Sequence, residues 1–263
     1  MIFVDTRGAT MNFQIQMLGT GSAFSKKYYN TNALITCNNF NLLIDCGYTA
    51  PRSLHEIGIT PEQIDGILIT HIHADHVGGL EEMIFRLHYI YRKKIKLFIT
   101  EVLAYNLWNY SLRGGIENVD EGLIELSDYF DIILIEPEVP FEIVSGLTIE
   151  LISTLHIPKK PSYSVFINQV VFYSADIQFS AELLIDEVSQ RRACRYILHD
   201  CQLIGPINVH TSLEQLLTLP DHIQANILLM HYDDHMERFM GQTGLMRFIK
   251  QHEIYNFNTD PIQ

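Results

Sequence analysis

Apolar residues occupy alternate positions over residues 13–18, with Phe13, Ile15 and Met17 set against Gln14 and Gln16, the period of a half-buried β-strand. That strand enters a small-residue turn, Gly19-Thr20-Gly21-Ser22-Ala23. Two further apolar runs, at 33–36 and 41–45, flank the polar pair Asn38-Asn39, which predicts a hairpin. A short helix is expected over 51–57. Thr60-Pro61-Glu62-Gln63 then puts Thr at an N-cap, Pro at the first helical position and Gln at the third, the start of one more helical turn. The uninterrupted run 66–70 reads as a buried strand and delivers the chain into His71-Ile72-His73-Ala74-Asp75-His76, after which Val77-Gly78-Gly79-Leu80 opens a helix. Side chains capable of chemistry are thereby placed at a strand's carboxyl end.

Apolar spacing next predicts helices over 81–91, 102–112 and 121–129, around a strand at 95–100. From residue 132 the pattern returns to strands, at 132–135, 141–144, 147–152, 163–167 and 170–173, which predicts a second sheet followed by a helix near 181–188. Strands at 196–198, 227–230 and 254–257 and helices at 213–217 and 244–251 complete the pattern. No Pro/Gly/Ser linker, long charge run or low-complexity tract divides the chain. The expectation is one layered α/β domain over residues 11–263, with residues 1–10 as an extension ahead of a second candidate start, Met11.

Composition narrows the function. At 263 residues, 47% apolar and 19% charged, the chain can bury a sizeable core, which excludes intrinsic disorder. With 31 acidic residues against 18 basic ones, its net charge of −13 repels a phosphate backbone and disfavours long nucleic acids as partners. No 18-residue apolar run predicts a membrane span, and the first residues lack the basic-then-apolar order of a secretory signal. The four cysteines, Cys37, Cys46, Cys194 and Cys201, form no CxxC pair and are too sparse for a disulfide framework, so a cytoplasmic setting is expected.

Four potential metal ligands, His71, His73, Asp75 and His76, fall within six residues. Neutral imidazoles beside a carboxylate can hold a borderline cation such as zinc. This HxHxDH motif with its following Gly-Gly resembles that of the metallo-β-lactamase superfamily. Met17-Leu18-Gly19-Thr20-Gly21-Ser22 and Leu43-Ile44-Asp45-Cys46-Gly47 are similar to that family's opening segments. The resemblance covers almost the whole chain and implies an αββα sandwich with metals at one sheet edge, Asp45 supporting a loop. It also asks for a later His, a bridging Asp and a final His at strand ends, which His156, Asp176 and His231 supply. By resemblance His71, His73 and His156 hold one metal, Asp75, His76 and His231 the other, and Asp176 bridges them. Two zinc ions are expected, although manganese or iron suits the same ligands. Paired cations favour hydrolysis at phosphorus.

The segments Tyr196-Ile197-Leu198-His199-Asp200-Cys201, His210-Thr211-Ser212 and Leu229-Met230-His231-Tyr232 resemble the ribonuclease-Z-like phosphodiesterase branch. That match makes His210 the candidate general acid, with Asp75 orienting the attacking water; His199 and Asp200 either orient the site or are ordinary strand-end residues. The protruding tRNA-binding arm of ribonuclease Z has no room here, because His156 and Asp176 stand 20 positions apart. Within the branch, the run from Gly19 to Asn32 and His199-Asp200-Cys201-Gln202 look like the anti-Pycsar phosphodiesterases. That resemblance implies a homodimer that hydrolyses 3′,5′-cyclic nucleotides, including cyclic CMP and cyclic UMP, to silence a defence signal. Trp108 and Tyr110 are candidates for stacking on the base, within one protomer or across to its partner, with core or dimer packing as their alternative role. Lys26, Lys27 and Tyr28 are candidates for facing the phosphate. The competing readings are tRNA 3′ processing, a metal-binding role without hydrolysis, and hydrolysis of a thioester, lactone or β-lactam, since the pocket decides among chemistries that share ligands.

Overall fold

Alternation carries the first strand, β1 (Asn12–Gly19), and the chain then turns back through β2 (Asn32–Cys37) and β3 (Phe40–Ile44). At the tip between β2 and β3, Asn38 and Asn39 adopt φ of 48° and 62°, the paired left-handed residues that a two-residue hairpin requires. The computed structural model describes residues 12–206 and 208–258, so the expected extension at 1–10 and the candidate start Met11 lie outside the described residues. The buried strands β4 (Gly66–Leu68) and β5 (Ile95–Ile99) continue the sheet in parallel, and β6 (Phe130–Leu134) pairs parallel to β5.

The second sheet begins at β7 (Phe141–Val144) and runs through β8 (Leu147–Ser153), β9 (Tyr163–Ile167), β10 (Val171–Tyr173), β11 (Tyr196–Asp200), β12 (Ile227–Met230) and β13 (Arg247–Phe248). The remaining described strand, β14 (Ile254–Asn258), returns to the first sheet and pairs antiparallel with β1. Two seven-stranded mixed sheets result, ordered β14-β1-β2-β3-β4-β5-β6 and β13-β12-β11-β10-β9-β8-β7. The pattern at 132–135 therefore extends the first sheet and does not open the second, a register choice that hydropathy alone does not encode.

Side-chain alternation along β9 shows how the layers stack. Tyr163, Val165 and Ile167 enter the large core shared with Phe13, Ile15 and Leu97 of the first sheet, whereas Phe166 faces a second cluster with Leu184, Val188, Leu213 and Ile223 from covering helices. Helices thus cover the outer face of the second sheet, and residues such as Leu54, Met83, Leu103 and Leu107 attach helices to the first. This is the expected αββα sandwich.

Two expected helices are absent. Over 121–129 the chain forms only short 3-10 turns, Val119–Glu121 and Leu126–Asp128, because Gly122 takes φ of 74° and Asp128 accepts the Ile124 and Glu125 amides, closing the chain locally. Over 244–251, Gly244 takes φ of 61° and Arg247–Phe248 pairs with β12, so sheet pairing displaces the helical option. The segments at 81–91, 102–112 and 181–188 are helical as expected, each passing into a wide π-helical stretch: Arg86–Tyr91, Trp108–Leu112 and Leu183–Arg191. Among the described residues no helix is long and apolar enough to cross a membrane.

Candidate metal centre

Five strand ends converge on one edge of the sandwich. His71 and His73 follow β4, and Asp75 and His76 lie in the short helix Ala74–Val77 that comes directly after. His156 follows β8, Asp176 follows β10, Asp200 ends β11 and His231 follows β12. Ala175 (φ 49°) and His231 (φ 59°) at these ends, and Asp45 (φ 59°) just after β3, adopt a left-handed backbone without being glycine. Such conformations cost energy and persist where surrounding structure over-determines them, as at functional sites.

The loop bearing the HxHxDH motif is clamped from below. Asn32 accepts from the Gly47 amide at 2.9 Å and donates to the Asp75 carbonyl at 3.3 Å, drawing the two segments together. Only glycine tolerates this approach, since a Cβ on Gly47 would lie 1.9 Å from the Asp75 carbonyl oxygen. Asp45, fully buried, accepts from the Thr70 amide at 2.8 Å and hydroxyl at 2.7 Å, and its Oδ2 stands 2.7 Å from His76 Nδ1. That contact leaves His76 Nε2 facing the centre.

Eight donor positions, with Asp176 counted twice, form two groups. In the first, His71 Nε2 and His156 Nε2 lie 3.1 and 3.2 Å from His73 Nδ1, and 3.7 and 3.8 Å from Asp176 Oδ2. In the second, His76 Nε2 lies 3.3 Å from Asp75 Oδ2 and 3.2 Å from Asp176 Oδ1, and His231 Nε2 lies 3.3 Å from each of the same two oxygens. A tetrahedral zinc with ligands at about 2.0 Å has ligand-to-ligand edges of about 3.3 Å, so the second group already has the spacing of a coordination shell. The first is wider towards Asp176, which spans both groups with its two oxygens. His76 Nε2 and Asp176 Oδ1 are buried without a hydrogen-bond partner, an arrangement that is costly unless a cation satisfies both. The donors therefore fit two metal ions that share Asp176.

Outer contacts orient the ligands. His156 Nδ1 lies 2.8 Å from the Val209 carbonyl, and His71 Nδ1 lies 3.1 Å from the Thr70 hydroxyl. Burial, reinforced for His71 by His76 and for His73 by His156, holds those imidazoles below their ordinary range; burial also outweighs Asp176 at His156. That direction favours the neutral ring, the form a metal needs. Burial opposes charge on Asp75, Asp176, His76 and His231 as well, yet their mutual attraction prevails and holds the carboxyls low and the imidazoles high. The two carboxylates thus call for compensating positive charge at this point, which a bound cation would supply.

A family model described as "Anti-Pycsar protein Apyc1" matches residues 13–255. The chain belongs to the anti-Pycsar Apyc1 family. A protein of that name from Paenibacillus xerothermodurans is 57% identical over 247 residues, covering 94% of this chain and 98% of the relative. One from Bacillus phage vB_BsuM-Goe3 is 42% identical over 252 residues, covering 90% and 96%. Among solved structures, the metallo-β-lactamase fold protein YhfI from Bacillus subtilis superposes with a TM-score of 0.72 at 14% identity, over 94% of this chain and 100% of that one. The fold is the metallo-β-lactamase sandwich.

In this anti-Pycsar Apyc1 member the structure brings His210 beside the candidate metal ligands. Its Nδ1 stands 2.8 Å from Asp200 Oδ2, and its ring stacks 4.8 Å from His231 and lies 4.9 Å from His156. Burial lowers the His210 pKa, but the Asp200 carboxylate more than offsets this and raises it overall. Asp200 also accepts from the Ile177 amide at 3.1 Å, and its other oxygen lies 3.5 Å from His231 Nδ1, so it orients the acid candidate and a ligand together. His199 points its Nδ1 at the Asp200 carbonyl, 2.7 Å away, and is buried.

His210 and His231 open into a cavity of about 410 Å³ whose walls include Phe24, Ile204, Pro206 and Val209. The other sequence-derived contact candidates lie elsewhere. Trp108 is buried in the main core, and Tyr110 is exposed edge-on to Tyr105 at 5.9 Å. Lys27 is ion-paired with Glu237, and Tyr28 donates to the same carboxylate, so neither presents a free charge to the cavity. Lys26 offers its backbone amide to Asp234. The residue that sequence reasoning passed over is Phe24, an aromatic in the polar segment after the glycine turn.

Proposed function

We propose that the chain is a dinuclear metal-dependent phosphodiesterase that hydrolyses 3′,5′-cyclic mononucleotides, cyclic CMP and cyclic UMP among them, to nucleoside 5′-monophosphates. One observation carries this reading: two donor groups joined by Asp176 lie beside an Asp200–His210 pair at the mouth of a cavity sized for a small ligand. Bound divalent cations, zinc by preference and manganese as the alternative, supply Lewis acidity that activates water and offsets charge on the phosphate. Asp75 orients the attacking water in line with the P–O3′ bond. Asp200 fixes Nδ1 of His210, leaving Nε2 as the ring nitrogen that can hand a proton to the departing 3′ oxygen. Phosphorus gains the water oxygen, the P–O3′ bond breaks, the 3′ oxygen leaves as a hydroxyl with the His210 proton, and the proton shed by the water passes to solvent, from which His210 is recharged.

Membership of a family named for countering Pycsar supports a cyclic nucleotide as the substrate, acting in the cytoplasm. Between His156 and Asp176 the β9–β10 connection is a tight turn through Asn168 and Gln169, both at positive φ, with no projecting arm to hold tRNA. A homodimer is part of the proposal, and the exposed apolar residues Ile90, Tyr105, Tyr110 and Val119 are suited to such a contact.

The test is product analysis after incubating zinc- or manganese-loaded protein separately with cyclic CMP, cyclic UMP, cyclic AMP, cyclic GMP and an unprocessed tRNA. The expected result is 5′-monophosphates from cyclic nucleotides, intact tRNA, and no turnover after chelation. Cleavage of tRNA alone would move the protein to a ribonuclease-Z-type activity. A fully metallated protein that hydrolyses none of these substrates would overturn the reading.

A further inference from the structure

Phe24 is 88% exposed, although the chain around it is held by an unusually complete set of contacts. Asp234 accepts from the Ser25 hydroxyl and from the Lys26 and Lys27 amides, at 3.0 and 2.8 Å for the two amides. Tyr48 donates its hydroxyl to the Ala23 carbonyl at 2.7 Å, and the Ser22 amide bonds the Tyr232 carbonyl at 2.9 Å. Tyr28 packs edge-on against Tyr232 at 5.1 Å. The loop is thus tied on both sides of Phe24 to the segment that follows His231. A large apolar side chain left in water on a fixed backbone contributes little to folding, and its fixation lowers the ordering cost of a contact made later.

That contact has a direction, because Phe24 forms a wall of the cavity into which His210 and His231 open, and Ile204, Pro206 and Val209 supply further apolar lining. A phosphate at the metal centre leaves the rest of a cyclic mononucleotide to fill this space. We infer that Phe24 is a substrate-binding residue that stacks on the nucleobase, held ready by the Asp234 clamp. This inference rests on the proposed cyclic-nucleotide activity and adds the residue that holds the base. A flat ring accepts both purines and pyrimidines through their π faces, so the contact raises affinity for all four bases without choosing sharply among them.

The test compares Phe24→Ala, Phe24→Trp and the unsubstituted protein, all metallated, on cyclic CMP, cyclic UMP and a 3′,5′-cyclic ribose phosphate carrying methoxy in place of the base. Phe24→Ala is expected to raise KM for both nucleotides by roughly 5- to 150-fold, the range that base–aromatic stacking gives, with kcat changed by less than about threefold. Phe24→Trp restores KM, and the baseless ester shows the same KM in all three proteins. An unchanged nucleotide KM in Phe24→Ala, or an equal rise for the baseless ester, overturns the inference while leaving the hydrolytic activity standing. An unsubstituted protein that turns over no cyclic nucleotide overturns the activity and, with it, this assignment.

Discussion

Replacing His210 by Ala isolates the proposed proton-transfer step. The imidazole is fixed three ways: Nδ1 lies 2.8 Å from Asp200 Oδ2, one face stacks on His231 at 4.8 Å, and His156 approaches at 4.9 Å. A proton donor so constrained needs no reorganisation before it acts, and loss of such a group costs about 10²–10⁴ in rate, equivalent to roughly 2.7–5.4 kcal/mol of transition-state stabilisation. The loss depends on the leaving group. A ribose 3′ oxygen departs as a strongly basic alkoxide unless protonated, whereas p-nitrophenolate departs without a proton. Steady-state kinetics on cyclic CMP and on a nucleoside 5′-(p-nitrophenyl) phosphate should therefore diverge, with kcat falling by the full factor on the first and by less than about tenfold on the second. Asp200→Asn keeps volume and an acceptor for Nδ1 but removes the charge, so its loss on cyclic CMP should be smaller, about tenfold, the difference between a charge-assisted and a neutral hydrogen bond. Equal losses on both substrates in His210→Ala, at unchanged metal content, would refute the proton-donor role.

Gly47→Ala should act on the centre without touching a ligand: the added Cβ would lie 1.9 Å from the Asp75 carbonyl oxygen, so the loop must shift. Metal analysis should show reduced occupancy, and kcat should fall by about 10²-fold, the cost of a displacement near 1 Å, while far-ultraviolet circular dichroism stays native. Arg192→Leu tests stability away from the site, because Arg192 grips the buried Glu150 bidentately at 2.6 and 2.7 Å, bonds Glu187 and lies 4.1 Å above the Phe166 ring. Losing these charge-assisted bonds while the Gln169 amide still donates to Glu150 at 3.1 Å should cost about 1–3 kcal/mol, or roughly 2–12 °C in Tm. The hydrogen bond from Arg192 holds the Glu150 carboxyl below its ordinary range, so this stabilisation is present above the unfolded carboxyl's pKa and is lost as pH falls through the lower folded value. The Tm gap between the two proteins should accordingly close in acid; a gap that is constant with pH would contradict the pairing.

Much of the candidate centre is legible in the sequence because its clustered donors sit at strand ends, where an apolar run stops at a His or Asp; His71, His156, Asp176 and His231 all follow that rule. The hairpin at Asn38-Asn39 and the capping box at Thr60 are similarly local, since neighbouring residues alone determine them. Sheet membership is not local. Nothing in Phe130–Leu134 distinguishes pairing with β5 from pairing with a strand of the second sheet, and Arg247–Phe248 became a strand because β12 offered an open edge. Residues 121–129 carry apolar positions at helical spacing, yet a left-handed Gly122 interrupts them. Phe24 was illegible for a different reason: its interest lies in being exposed while its neighbours are tied, and exposure is a property of the finished surface.

The pairing of β1 with β14 has a consequence for synthesis. On a ribosome the chain emerges from its amino-terminal side, so β2 can cover one edge of β1 early, while the other edge waits for Ile254–Asn258. Until those residues appear, the nascent chain carries an open strand edge with alternating apolar residues, the kind of edge that recruits strands from other chains. His231, too, is made after every other candidate ligand of the centre. Rapid translation of the last stretch, or a chaperone that shields β1 meanwhile, would therefore affect the yield of native protein more than either would in a fold whose first strand finds its partners locally.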